Sequence, residues 1–174
     1  MTVGIASDAA MAWYPSQVEA DDFAELDLFR ALRDSGARVL LIGRKALILL
    51  GLPVATYDYD LWIDPDDVER VNVAAAKLDH HPNWSPEDAR ARGRYVLENG
   101  EHIDVLLSRS RATAKGDILS FEDAWTRREQ IGLGDGVSID IPCIDDLIRT
   151  KEWAMRAKDI GDIQLLEALR RSRR

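Results

Sequence analysis

"TYDYDLWID", Thr56 to Asp64, sets two aspartates, Asp58 and Asp60, on either side of a tyrosine and runs straight into Leu61, Trp62 and Ile63. Aromatic and β-branched residues favour strands, whereas aspartate prefers to bond its own backbone in turns. Two acids at alternate strand positions therefore need a reason. Strand side chains alternate between faces, so Asp58 and Asp60 point the same way. Two close carboxylates repel, and one is driven toward protonation unless a cation lies between them. Mg²⁺ favours oxygen ligands, usually one or two carboxylates together with substrate phosphates. The pair reads as a seat for that ion.

A third acid points the same way. Asp104 lies within "HIDVLLS" (102–108), surrounded by Ile103, Val105, Leu106 and Leu107. An acid in an apolar strand is costly without a partner. If this strand lies beside residues 57–63, Asp104 completes a three-carboxylate cluster. Such a cluster holds two cations about 3.5–4 Å apart, one at the attacking oxygen and one at the phosphates. The phosphate seat is expected at Gly43, which ends the strand "RVLLIG" (38–43) and opens the helix "RKALILLG" (44–51). Free backbone N–H groups there attract anions, and a residue without Cβ lets a phosphate come close.

Outward from this centre, residues 1–19 carry no steady period. Phe23, Leu26, Phe29, Ala31 and Leu32 recur at helical spacing between Ala20 and Arg33. Asp21 and Asp22 load the front of that helix, and Gly36 ends it. Pro65 and Asp66 open a helix to about His80; residues 81–88 form a loop ending in a Ser85-Pro86 helix start. Residues 94–99 and 102–108 flank Gly100-Glu101 as a hairpin, and "TRREQIGL" and "VSIDI" flank Gly134-Asp135-Gly136 as another. Residues 118–125 are ambiguous between strand and helix. After Pro142 two helices follow, roughly 143–155 and 158–170. The expected fold is an α/β (α+β) mixed sheet with helices packed on it, not a doubly wound parallel sheet. The expected organisation is an α/β core over 1–142 and a helical segment over 143–174 packed on it.

Composition narrows the classes of function. The chain has 174 residues, 46% hydrophobic and 31% charged, enough for a substantial core without disulfide or metal staples. Its single cysteine, Cys143, rules out an intramolecular disulfide and suits a reducing, cytoplasmic setting. No N-terminal signal pattern is expected, and the longest apolar run, Ala46 to Leu50, is too short to span a bilayer. The net charge of −8 argues against a large nucleic-acid footprint. The basic end Arg170-Arg171-Ser172-Arg173-Arg174 reads as a helix terminus whose cations suit the dipole. There is no G-x-x-x-x-G-K-[ST] loop, no G-x-G-x-x-G turn and no Cys/His metal spacing. Ser7, Ser16 and Ser108 lack a nucleophile-elbow context, which leaves acyl transfer unsupported.

With these residues in place, "LIGRKALILLGLPVATYDYDLWID" and the downstream "HIDVLLS" resemble a nucleotidyltransferase of the DNA polymerase β-like superfamily. The ending "IPCIDDLIRTKEWAMRAKDIGDIQLLEAL" (141–169) resembles the small bacterial branch that includes AbiEii-type toxins, in which a lysine-bearing helix precedes an Arg-x-Lys-Asp-x-x-Asp segment. The resemblance implies that Asp58, Asp60 and Asp104 bind Mg²⁺ and carry catalysis. It implies that Gly43 contacts the triphosphate of an NTP, with Lys151 and Lys158 as further candidates for the phosphates. The implied reaction moves a nucleoside monophosphate to a hydroxyl on an RNA end, a protein or a small molecule and releases pyrophosphate. A cognate antitoxin or regulator is an implied partner.

One position departs from the pattern. Arg44 stands where the family has a second small residue. Three readings stay open: the guanidinium clamps the triphosphate, fills its seat, or points away on the helix's outer face. The second leads to an alternative, a catalytically inactive member of the fold that acts by binding a partner. Other residues have plainer readings. Charges three and four apart across Lys151, Arg156, Lys158, Asp159 and Asp162 also suit a laced helix surface. Asp64, Asp66 and Asp67 read as helix N-terminal acids, and His80 and His81 as surface residues. His102 shares a strand face with Asp104, either structurally or to orient an acceptor. Trp13, Trp62, Trp84, Trp125 and Trp153 read as packing residues, with Trp84 also able to stack on a base.

Overall fold

The structure is a computed structural model that describes residues 25–173. The irregular lead-in, Trp13, the two early serines, the front of the first helix with Asp21 and Asp22, and Arg174 lie outside the described residues.

The first described helix, α1 (Glu25–Asp34), buries Leu28, Phe29 and Leu32. Strand β1 (Val39–Ile42) follows, then the short α2 (Gly43–Leu49) and β2 (Tyr59–Ile63). Pro65–Asp67 form one 3₁₀ turn, leading into α3 (Val68–Ala76). Asp64 caps it by accepting from the Asp66 backbone N–H at 2.9 Å, as its place before Pro65 suggests. The remaining strands and helices are β3 (His81–Pro82), α4 (Pro86–Arg92), β4 (Arg94–Asn99), β5 (Glu101–Leu106), β6 (Ser110–Ala112), β7 (Ile118–Ser120), α5 (Phe121–Thr126), β8 (Glu129–Gly134), β9 (Val137–Ile141), α6 (Ile144–Glu152) and α7 (Ala157–Ser172).

Seven strands form one mixed sheet in the order β3-β4-β5-β2-β1-β9-β8, and β6 and β7 form a separate ribbon. Two neighbours run parallel, β2 with β5 and β1 with β9; the other pairs are antiparallel. The mixed sheet and both hairpins agree with the sequence reading.

Alternation along the strands sorts the core into two layers. Val39 and Leu41 of β1, Tyr59, Leu61 and Ile63 of β2, and Ile103 and Val105 of β5 face the larger cluster. That cluster also takes Phe29, Val71, Leu147, Ile148 and Leu166 from the helices. Leu40, Ile42 and Trp62 face the other way, against Leu119, Phe121, Ala124 and Trp153. Trp62 is fully buried, with Phe121 and Trp153 edge-on at 5.3 and 4.9 Å between centroids. Such edge-to-face pairs add about 0.5–1.5 kcal/mol beyond the area they bury. Asp60, one pleat before Trp62, lies on this second, less covered face.

Several expectations shift. The ambiguous stretch 118–125 is both things in turn: a short strand, then a helix capped by Ser120, which accepts from the Asp123 backbone N–H at 3.0 Å. His81 and Pro82, expected in a loop, pair with Glu98 and Leu97 as an edge strand. His80, expected at the surface, is buried, its Nδ1 2.9 Å from the Leu78 carbonyl oxygen. The helix after Pro65 ends at Ala76, and Asp79 turns the chain with φ +62°.

Candidate active site

Ile42 is the last residue of β1 and pairs with Asp60 of β2, while Asp60 pairs with Asp104 of β5. The parallel register sets the two carboxylates side by side on the same face, which is the arrangement the sequence required of its third acid. Asp58 lies just outside the strand, because its backbone N–H is taken by Thr56 Oγ1 at 3.1 Å rather than by a neighbouring strand. It still adds to the negative field at Asp60. Burial pushes the Asp60 carboxyl up, Asp104 and Asp58 push it further, and Lys151 and Lys158 oppose them. The site is thus a half-buried acid in the repulsive field of two others, with two lysines partly compensating.

Gly43 makes this packing possible. Its φ is +69°, a left-handed conformation that side chains rarely adopt. A Cβ built there would lie 2.0 Å from Asp60 Oδ2, with the carboxyl carbon at 2.8 Å. Both the backbone angle and the contact demand glycine. The chain therefore brings open backbone against the central carboxylate.

Arg44, the departing residue, turns to the C-terminal helix. Its Nε donates to both carboxylate oxygens of Asp162 at 3.2 Å, and its NH2 group lies 3.2 Å from Oδ1. Its NH1 group reaches the Ala55 carbonyl at 3.5 Å. Asp162 also accepts from Lys151 Nζ at 2.8 Å, and Asp159 lies 3.9 Å from the same ammonium. Arg156 holds Asp159 through its backbone N–H and its Nε, each at 2.9 Å. Burial acts to raise both carboxyls, but hydrogen bonds from the cations outweigh it and hold Asp159 and Asp162 below the usual carboxylate range. Lys151, Asp159 and Asp162 are all buried. The reading of a laced helix surface holds for Arg156 and Lys158, which are exposed, but not for Lys151, Asp159 and Asp162, which form an internal network behind Asp60.

Lys158 differs from its neighbours. It is exposed, acts on Asp60, and has no carboxylate partner within the described residues. Arg156 also stands in the field of Asp60, a position the sequence reading did not assign to it. Its signal was present in the Arg-x-Lys-Asp segment, two positions before Lys158. His102 Nε2 stands 3.4 Å from Asp104 Oδ2, and both side chains are about half exposed (57% and 47%), so His102 is not a packed core histidine. Asp64, Asp66 and Asp67 stay with structure: Arg38 pairs with Asp64 and Arg109 with Asp66. The basic end is likewise occupied, Arg170 with Asp145 and Arg173 with Glu129. Trp62, Trp125 and Trp153 pack in the second cluster, and Trp84 carries Arg92 stacked 3.9 Å over its ring.

The donor set at Asp58, Asp60 and Asp104 is all oxygen and suits Mg²⁺. Among the described residues, however, no three His, Cys, Asp or Glu side chains converge closely enough to hold a metal ion alone. The expected three-carboxylate cluster is therefore not closed in this structure; the in-register pair Asp60 and Asp104 is what the strands bring together.

No protein-family description and no curated protein matches the chain in sequence. Solved structures do match in fold. The antibiotic-resistance factor ANT(2'')-Ia, known in solution, superposes with a TM-score of 0.57 at 15% identity, covering 84% of this chain and 89% of its own. A Thermotoga maritima protein proposed to be a nucleotidyltransferase superposes with a TM-score of 0.51 at 14% identity, covering 83% and 86%. The chain shares the α/β fold of these two structures over most of its length.

Proposed function

We propose that the protein is a Mg²⁺-dependent nucleotidyltransferase. It moves a nucleoside monophosphate from an NTP to a hydroxyl acceptor and releases pyrophosphate. The observation that carries this reading is the in-register Asp60–Asp104 pair, with Asp60 packed against a glycine where a Cβ would strike its carboxylate. The fold likeness supports the same class of reaction.

Asp60 and Asp104, with Asp58 at the rim, are the residues to hold Mg²⁺. When bound, the ion neutralises phosphate charge and activates the attacking hydroxyl. The chain's own part is positioning and electrostatics, as phosphoryl transfer needs few reactive side chains. Gly43 offers backbone N–H beside Asp60. Lys158, exposed and without a carboxylate partner among the described residues, is free to turn to a phosphate. Lys151, tied to Asp162, acts through its field. Arg44 stands next to the seat, on the residue after Gly43.

The AbiEii-like branch, an acceptor among RNA ends, proteins or small molecules, and a cognate antitoxin follow from the sequence resemblance and belong to the same proposal. The partner-binding alternative relied on Arg44 filling the seat. Its guanidinium pairs with Asp162 instead, so that alternative gains no support here. The test is transfer of label from α-labelled NTP to RNA, protein and small-hydroxyl acceptors. Asp60→Asn is expected to abolish transfer while leaving the circular dichroism spectrum intact. Undiminished transfer by that variant would overturn the assignment.

A further inference from the structure

Arg44 and Lys151 both serve one buried carboxylate, Asp162, and they do so unequally. Lys151 is 6% exposed and 2.8 Å away; Arg44 is 31% exposed and no closer than 3.2 Å. If Arg44 leaves, Asp162 keeps Lys151 and no buried charge is stranded. If Lys151 leaves, a buried ammonium gives up its 2.8 Å partner and keeps only Asp159, at 3.9 Å, among the described carboxylates. Arg44 is therefore the releasable cation of the pair. It also has somewhere to go. With Asp162 it lines a groove of about 540 Å³ alongside Ala55, Gly161, Gln164 and Leu165, so the guanidinium can change partners without repacking the core. It follows Gly43 directly, and adjacent Cα atoms are about 3.8 Å apart, so a long side chain there reaches an anion seated at Gly43.

Building on the nucleotidyltransferase reading, we propose that Arg44 is a latch: it holds α7 through Asp162 in the free protein and exchanges that carboxylate for the phosphate tail of the incoming nucleotide. The exchange loosens α7 as the nucleotide binds. The residue that departs from the family pattern then has a use, coupling occupancy of the site to the mobility of the C-terminal helix.

Inorganic tripolyphosphate with Mg²⁺ is the probe, because it carries the phosphates and neither base nor ribose. Calorimetry is paired with hydrogen exchange across residues 157–172. Wild type is expected to bind, and protection of α7 is expected to fall on binding. In Arg44→Ser, affinity drops by about tenfold or more, as expected for a lost charge-assisted contact, and α7 protection no longer responds to the ligand. Asp162→Asn, in which Arg44 is already free, is expected to bind more tightly than wild type. Should that variant fail to fold, Arg44→Lys serves: it keeps the charge, loses the fork, and is expected to fall between wild type and Arg44→Ser. Equal binding by wild type and Arg44→Ser, with unchanged α7 protection, would overturn the latch and leave the nucleotidyltransferase reading standing. Absence of any binding by wild type would overturn both.

Discussion

At the scale of single residues, the site turns on Gly43 and Asp60. Placing a side chain at φ +69° strains the backbone by about 1–3 kcal/mol, and at Gly43 the added Cβ would also strike Asp60. Gly43→Ala is therefore predicted to lower the melting temperature and to displace Asp60, with loss of nucleotide binding; a variant that melts and binds like wild type would contradict the packing described. Asp60 carries the opposite tension. Burial, then Asp104, hold its carboxyl above the ordinary value. In the metal-free protein its contribution therefore favours the fold at low pH and is lost as pH rises through that raised value. At neutral pH the charged form opposes folding. Asp60→Asn is predicted to raise the metal-free melting temperature by roughly 2–4 °C, the response of a domain this size to about 1 kcal/mol, while removing activity. A fall in melting temperature would mean that Asp60 stabilises the fold. Gly43 and the two strand acids were legible in the sequence because both rest on local rules, the alternation of a strand and the freedom of glycine. The Arg44–Asp162 pair was not, since it joins residues 118 positions apart and depends on where α7 docks.

At the scale of elements, register does the positioning. The parallel pairing of β2 with β5 brings Asp60 beside Asp104, and a slip of one residue would turn Asp104 into the core. Behind that pair, Trp62 receives the edge of Trp153 and so fixes the end of α6, the helix that carries Lys151. Trp62→Ala is predicted to cost about 3–5 kcal/mol and to weaken nucleotide binding by unseating Lys151. Wild-type affinity in a folded Trp62→Ala protein would separate the two elements. The sequence announced both hairpins through glycine-rich turns. It did not announce the start of β2, because Thr56 captures the Asp58 backbone N–H and holds Asp58 off the ladder. The edge strand at His81–Pro82 was equally hidden, being two residues long with a proline.

At the scale of the whole molecule, the net charge of −8 coexists with a local cluster of cations, Lys151, Arg156 and Lys158, around the half-buried Asp60. The helices after Pro142 supply that cluster and also place Leu147, Ile148 and Leu166 in the larger core. Removing residues 143–174 is predicted to leave a chain that does not fold cooperatively, and full-length protein is predicted to melt in a single transition. Two separate transitions would show that the helical segment folds independently. Acidification bears on the same region: Asp162 lies below the usual carboxylate range, so its stabilising contribution is present above that range and is lost as pH falls through the depressed value.

The central claim is a carboxylate seat that binds nucleotide through Mg²⁺, and titration calorimetry of the wild-type protein with each NTP, in Mg²⁺ and in EDTA, tests it most directly. The account predicts binding in Mg²⁺ that disappears in EDTA and in Asp60→Asn. Binding that persists without the metal, or that Asp60→Asn leaves unchanged, would contradict it, as would the absence of binding to any NTP.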